Sequence, residues 1–115
     1  MECYLDNSAT TKPCKAAVDA EISALTELYG NPSSLHQKGV DAYMLLEKSR
    51  GTIAASLKAT PDEIYFTPCG TVSNNTAIFG AVDAKKRLGN KIVTTALEHP
   101  SVEKCMERLE ESGFE

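Results

Sequence analysis

The chain has no tryptophan, few aromatic residues and no long apolar run. Aromatic residues make up 6% of its 115 residues, and no apolar stretch approaches the ~20 residues of a membrane-spanning helix. The opening segment, MECYLDNSATT, contains acidic residues and lacks a basic stretch followed by an apolar one. It is therefore unlike a secretory signal peptide. We therefore expect no membrane partner, and we predict the cytoplasm as the location.

The sequence also lacks a strong charge of one sign. Its net charge is −4, charged residues make up 24%, and like charges do not form long blocks. Proteins that bind nucleic acid usually carry a basic patch or stripe. We expect no nucleic-acid partner for this chain.

Cysteine is sparse and is not arranged as a metal site or a disulfide framework. The four cysteines are Cys3, Cys14, Cys69 and Cys105, and none belongs to a CxxC pair. Their spacing fits no zinc pattern, so we predict no metal site. Without a secretion signal we expect reduced, structural thiols, although Cys69 stays open because it directly precedes Gly70.

Periodic apolar residues predict an α/β fold in the order helix-helix-strand-helix-strand-helix. Helices are predicted from about 12 to 29, 36 to 57 and 72 to 88, with a fourth from Pro100 to Gly113. Residues 63–67 and 91–95 are rich in β-formers and are predicted as short strands. Alternating strands and helices favour a parallel sheet. Two short strands make a poor sheet, so we infer the front part of a larger domain.

Ligands in open α/β folds bind at the carboxyl ends of the strands. One predicted strand leads into Cys69-Gly70-Thr71 and the other into Glu98-His99-Pro100. The first junction predicts an anion site made by Gly70, the Thr71 hydroxyl and the N–H groups of residues 71–73. The alternative is an ordinary helix N-cap at Thr71. Likewise, His99 is either a residue that stacks on a ring or moves protons, or a cap beside Pro100.

Four ordered motifs identify a family resemblance. The segments YLDNSATT, GNPSSLHQKG, EIYFTPCGTVSNN and TTALEHPSV occur in this order along the chain. Together they closely resemble the N-terminal portion of cysteine desulfurases of the NifS/IscS type. These are pyridoxal 5'-phosphate (PLP) enzymes of the class V aminotransferase family, fold type I. The resemblance implies that residues 1–12 form an arm and that 13–115 begin the PLP-binding large domain, as one partial domain.

The resemblance also implies roles for individual residues. Gly70 and Thr71 match the positions that hold the PLP phosphate, and His99 matches the catalytic histidine that stacks on the pyridine ring. Asn7, Ser8 and Ala9 match a loop beside the substrate entrance, and Asn31 matches a loop near the active site and the dimer partner. The expected sites are these seven positions: Asn7, Ser8, Ala9, Asn31, Gly70, Thr71 and His99.

The implied reaction converts L-cysteine to L-alanine and leaves the sulfur as an enzyme-bound persulfide. That sulfur passes to an acceptor scaffold protein for iron–sulfur cluster or thio-cofactor synthesis. Two alternatives stay open: another class V aminotransferase or selenocysteine lyase relative, and a non-catalytic remnant that binds a phosphate ligand or a partner protein. The resemblance further implies a homodimer or other self-association.

The chain departs from the family pattern in two respects. The family reads Thr-Ser-Gly-(Gly/Ala)-Thr-Glu at the phosphate loop, whereas this chain has Pro68, Cys69 and Val72 in place of Ser, Gly and Glu. In the family, the Schiff-base lysine, the pyridinium aspartate and the sulfur-accepting cysteine follow the part matched here. We therefore leave open whether the chain is an enzyme, predict that it is inactive alone, and expect the C-terminal part of the enzyme as a partner.

Overall fold

The computed structural model describes residues 3–115, and the regular structure among them is helical. The helices are α1 (Lys15–Thr26), α2 (Gln37–Leu57), α3 (Gly70–Lys85) and α4 (Pro100–Glu111), with a 3-10 helix at Pro61–Glu63. The chain forms two compact units that divide after Ile64, and each is described by itself. Residues 1 and 2 of the predicted arm lie outside the described residues. None of these helices is long and apolar enough to cross a membrane.

The first helix is shorter than predicted at both ends. Its N-cap is Cys14, and the Thr11 hydroxyl donates to the Asn7 carbonyl at 3.2 Å. It ends at Thr26, before the expected stop at Gly30. Gly30 has another role, because a methyl group there would lie 2.0 Å from the carbonyl oxygen of Lys38. The turn after α1 therefore packs directly on the backbone of α2, and only glycine fits.

The second helix follows the prediction closely. His36 is its N-cap and accepts a hydrogen bond from the Gly39 N–H at 3.4 Å. The helix continues through Gly51, whose position faces open space. After it, the Glu63 carboxylate accepts from the Thr60 N–H at 2.7 Å and from the Thr60 hydroxyl at 2.9 Å. The Arg50 guanidinium donates to the Ile64 carbonyl, which ties α2 to the chain beyond the 3-10 helix.

In the C-terminal unit, α3 and α4 pack together. The buried side of α4 is formed by Ser101, Cys105 and Leu109. Val102 and Met106, which lie at helical spacing from Leu109, are half-buried. In α3, Ile78 and Val82 are half-buried, whereas Ala77 and Ala81 are exposed. This helix therefore has no fully buried residue among those that the structure describes.

The two predicted strands do not form a β-ladder in the described part of the chain. Glu63 ends the 3-10 helix, and Ile64 is extended with φ −102° and ψ 119°. Residues 91–95 also carry no strand assignment. A strand needs a neighbour to pair its backbone groups, and the described residues supply almost none. The local β-forming sequence is present, but its pairing partners are not.

One pair of backbone hydrogen bonds nevertheless has the pattern of a parallel ladder. The Ile92 N–H donates to the Glu115 carbonyl at 2.7 Å, and the Glu115 N–H donates to the Asn90 carbonyl at 2.7 Å. In a parallel pair of strands, the N–H and the carbonyl of one residue bond to the two residues that flank its partner on the other strand. The geometry is therefore that of a strand–helix–strand unit in which only the first pair of ladder hydrogen bonds is present among the described residues. Its parts are residues 90–92, α4 and Glu115.

Candidate functional site

The junction between residues 64–67 and α3 is held by hydroxyl groups. The Thr67 hydroxyl donates to the Cys69 carbonyl at 3.1 Å, and the Thr67 and Ser73 hydroxyls hydrogen-bond to each other. The Ser73 N–H donates to the Cys69 carbonyl at 3.1 Å, closing the first helical turn. These short side chains bond to local backbone and so favour turns and helix starts. They fix the direction in which α3 begins.

The N-terminus of α3 presents three backbone donors. The N-cap is Cys69, whose side chain makes no capping hydrogen bond, and the helix begins at Gly70. In the described part of the chain, the N–H groups of Gly70, Thr71 and Val72 have no acceptor. The prediction of donors at residues 71–73 is therefore shifted by one, because the Ser73 N–H is used by the helix. The alternative of Thr71 as N-cap is wrong.

The unusual residues of this loop leave that donor set intact. Pro68 lacks an N–H, but the three unpaired donors begin only at Gly70. Cys69 has φ −164° and ψ 167°, an extended conformation that any residue adopts. Gly70 has no atom within 4 Å of the place where a methyl group would stand. The backbone is consequently open to a close approach by a ligand.

His99 has the capping role, one of the two alternatives that the sequence left open, and its role beside a ring stays a prediction. It is the N-cap of α4, and its Nδ1 accepts from the Ser101 N–H at 3.1 Å. Nδ1 also lies 2.8 Å from the Ser101 hydroxyl. The Asn74 amide donates to the same hydroxyl at 2.8 Å. The cap prediction for His99 is confirmed, and this cap is connected to α3.

These residues surround one open cavity. Its volume is about 350 Å³, and it is lined by Gly70, Thr71, Asn74, His99 and Ser101. The structure thus brings together the three predicted cofactor-binding residues of the C-terminal unit from two separate helix starts. The helix dipole places positive potential at the Gly70 end. A cavity with free N–H donors, a hydroxyl group and an imidazole is suited to an anionic group attached to a flat ring.

The remaining predicted site residues lie in two loops of the N-terminal unit. Asn7, Ser8 and Ala9 form an exposed turn, closed by the Ala9 N–H bonding to the Asp6 carbonyl at 3.2 Å. The Asn31 side chain accepts from the Ser33 N–H at 2.9 Å, which shapes the second loop. Their role at a substrate entrance stays a prediction.

Asn74 and Ser101 line the site but are not among the residues that the sequence predicts for it. A signal did exist for Asn74, because it follows Gly70 by four residues and lies on the same helix face. Nothing in the local sequence pairs Asn74 with Ser101, since this contact depends on the packing of α3 against α4.

Comparison with known proteins gives a consistent result. The family model described as aminotransferase class V matches residues 3–115. A NifS/IcsS protein homolog from Lactobacillus delbrueckii subsp. bulgaricus is 49% identical over 111 residues, covering 96% of this chain and 29% of the relative. The cysteine desulfurase NifS of Azotobacter vinelandii is 41% identical over 114 residues, covering 98% of this chain and 28% of the relative.

A solved structure of a NifS-like protein aligns with a TM-score of 0.90 and 36% identity over 100% of this chain, which is 32% of the solved chain. The chain therefore spans roughly three tenths of the length of these relatives and corresponds to their N-terminal part. The match covers both the helix start at Gly70 and the cap at His99. This chain belongs to the class V aminotransferase family and is similar to cysteine desulfurases of the NifS/IscS type.

Proposed function

We propose that this chain is the N-terminal portion of a PLP-dependent cysteine desulfurase-like enzyme and that it supplies half of the cofactor site. One observation carries this proposal. The unpaired N–H groups at Gly70 and Thr71 lie around the same cavity as His99, although these residues are separated widely in the sequence. Membership of the class V aminotransferase family indicates PLP as the cofactor for this cavity.

The residues present fit the phosphate group of PLP. The N–H groups of residues 70–72 and the Thr71 hydroxyl offer four donors to a dianion, at the positive end of the α3 dipole. Gly70 leaves room for the backbone to approach the phosphate oxygens. Among the residues that the structure describes, no lysine or arginine lines the cavity, so recognition of the phosphate rests on backbone donors and one hydroxyl.

Bound PLP would supply an electron sink for bonds at the substrate α-carbon. In this proposal His99 would hold the pyridine ring with its flat imidazole and would hold or move a proton at a ring nitrogen. Its ring is anchored through Nδ1 at the start of α4, so it is oriented before a ligand arrives. Asn7, Ser8, Ala9 and Asn31 border the substrate entrance in this proposal.

The proposed substrate is L-cysteine, because the similar proteins carry the name cysteine desulfurase. The sulfur would serve iron–sulfur cluster or thio-cofactor synthesis through an acceptor scaffold protein in the cytoplasm. Within the 115 residues, no lysine stands in the family's Ser-x-His-Lys context. The chain alone should therefore bind PLP without forming alanine from cysteine.

Exposed apolar side chains support the need for a partner. In the C-terminal unit, Val93 and Leu97 are 88% and 94% exposed. A cavity of about 320 Å³ beside residues 92–95 is lined by Ile92, Met106 and Phe114, among others. Surfaces of this kind, next to backbone that forms no ladder in the described residues, are usually covered by a further element. We propose that the rest of the enzyme's large domain covers this surface, within a homodimer.

Equilibrium dialysis of PLP against the purified chain tests the cofactor proposal. Thr71→Val removes the hydroxyl while keeping the shape, and we expect the affinity to fall about ten- to hundredfold, as for one lost hydrogen bond to a charged group. Thr71→Ser keeps the hydroxyl and serves as the matched control. Inorganic phosphate should compete. Equal affinities for all three proteins, or no binding at all, would contradict the proposal.

An assay of L-alanine formation from L-cysteine tests whether catalysis needs residues outside this chain. We expect none from the chain with PLP. Co-expression with the C-terminal part of a NifS-type relative should yield a stable complex that forms alanine. Alanine formed by the chain alone would overturn the statement that the lysine must come from outside these residues.

A further inference from the structure

We propose that Asn74 and Ser101 are positioning residues that hold His99 in one tautomer, with the ring proton on Nε2. The Asn74 amide donates to the Ser101 hydroxyl, which donates to His99 Nδ1, and we call these two hydrogen bonds the relay. The role of the relay in catalysis rests on the function proposed above, whereas the hydrogen bonds themselves do not.

The direction of the bond at Nδ1 follows from the backbone. A main-chain N–H can only donate, and the Ser101 N–H lies 3.1 Å from Nδ1. Nδ1 of the neutral ring must therefore be the acceptor, and the proton resides on Nε2. The contact of 2.8 Å between Nδ1 and the Ser101 hydroxyl then has the hydroxyl as its donor.

The direction of the next bond follows from the first. Once the Ser101 hydroxyl has given its only hydrogen to Nδ1, it can only accept from Asn74. The Asn74 Nδ2 donates to that oxygen at 2.8 Å across 27 residues of sequence. Ser101 is one of the few buried residues of the chain, at 7% exposure. Hydrogen bonds that point the same way along such a chain strengthen one another.

This arrangement does more than cap a helix. The cap of α4 needs only the Ser101 N–H and Nδ1, so neither the Asn74 amide nor the Ser101 hydroxyl is required for it. Their addition places two donors on Nδ1 and leaves Nε2–H as the nitrogen available to a ligand in the cavity. The relay thus selects which ring nitrogen meets a cofactor or substrate.

Long-range ¹H–¹⁵N NMR of the histidine rings, in PLP-free alkaline buffer, measures the tautomer directly. We expect the Nε2–H form to dominate at His99 in the natural chain. In Asn74→Asp, the carboxylate would accept the Ser101 hydroxyl hydrogen and turn it away from Nδ1. The ratio of Nδ1–H to Nε2–H should then rise about three- to tenfold, the effect of one redirected hydrogen bond.

Three controls make the outcome decisive. Ser101→Thr keeps the hydroxyl and should keep the tautomer, whereas Ser101→Ala should shift it in the same direction as Asn74→Asp and replaces that variant if it does not fold. His36 caps its own helix through Gly39, so its signals should not move. A dominant Nδ1–H form in the natural chain, or an unchanged ratio in a folded Asn74→Asp or Ser101→Ala variant, would overturn the relay.

Since PLP is absent from this experiment, its result is separate from that of the dialysis. A fixed tautomer without PLP binding would sustain the relay and contradict the cofactor proposal. Binding of PLP with an unchanged tautomer ratio in the variants would support the cofactor proposal and contradict the relay.

Discussion

The thiol of Cys105 donates a hydrogen bond to the side-chain oxygen of Asn75 at 2.8 Å, across 30 residues of sequence. Cys105 is 2% exposed, and its sulfur also lies 3.1 Å from the Ser101 carbonyl oxygen. This contact joins α3 to α4 one turn beyond the bond between Asn74 and Ser101. Two successive asparagines therefore hold together the two helices whose starts form the candidate site.

Replacing Cys105 should weaken this junction. Cys105→Ala removes the thiol and leaves the Asn75 oxygen without its donor, so we expect a loss of about 1–3 kcal/mol in the free energy of unfolding. Urea unfolding followed by circular dichroism measures it. Cys105→Ser retains a donor of similar size and should lose less. Equal losses in the two variants would show that the hydrogen bond does not matter.

Two glycines of α2 should respond oppositely to the same substitution. A methyl group at Gly39 would lie 2.3 Å from the Ser34 carbonyl oxygen and 2.8 Å from that of Asn31, whereas Gly51 faces open space. Gly39→Ala should cost about 1–3 kcal/mol through backbone displacement. Gly51→Ala should stabilise the chain by about 0.5–1 kcal/mol. Thermal unfolding of both variants tests this, and a shift of the same sign in both would contradict it.

Gly70 should matter for the ligand and not for the fold. No atom lies within 4 Å of a methyl group placed there, so Gly70→Ala should leave the unfolding free energy within about 0.5 kcal/mol. The same methyl group would obstruct the approach of a phosphate to the helix N-terminus, and we expect PLP affinity to fall about tenfold. Dialysis and urea unfolding of one protein sample separate the two effects. Unchanged PLP affinity would exclude Gly70 from the site.

The carboxylate of Glu63 should make stability depend on pH in the acid range. Hydrogen bonds from the Thr60 N–H and then from its hydroxyl lower the pKa of Glu63 from the ordinary 4.5. A pKa depressed by folding contributes stability above the unfolded value of about 4.5, and that contribution is lost as the pH falls through the folded value.

Glu63→Gln supplies the control for this prediction. Its amide oxygen can accept the same two bonds without titrating, so its stability should change less between pH 5 and pH 3. Thr60→Val removes the hydroxyl bond and should raise the pKa of Glu63 towards its ordinary value, as followed by NMR. Parallel pH profiles for the natural chain and Glu63→Gln would contradict the assignment.

Helix positions could be predicted from local chemistry. The structure reproduces the predicted starts of α2 near His36 and of α4 at Pro100. The periodic apolar residues that follow each start predicted the lengths of these helices. Strands could not be predicted in the same way. The segments 63–67 and 91–95 have β-forming residues, but a strand exists only when a neighbouring chain segment pairs with it. The pair of backbone hydrogen bonds between Glu115 and residues 90 and 92 has the pattern of the start of such pairing.

By itself, the sequence determined the family, through four ordered motifs, and predicted a helix after residues 69–71 and another from Pro100, because these signals are carried by neighbouring residues. The start of α3 at Gly70 and the choice of His99 as a cap came from the structure. The acceptor role of His99 Nδ1 already follows from the Ser101 N–H two residues away, whereas only the tertiary structure decided that the Asn74 amide reaches the Ser101 hydroxyl. That contact requires α3 and α4 to pack in one register. Local propensity carries no information about such a register, because it is selected by burial of Cys105 and Leu109 against the neighbouring helix.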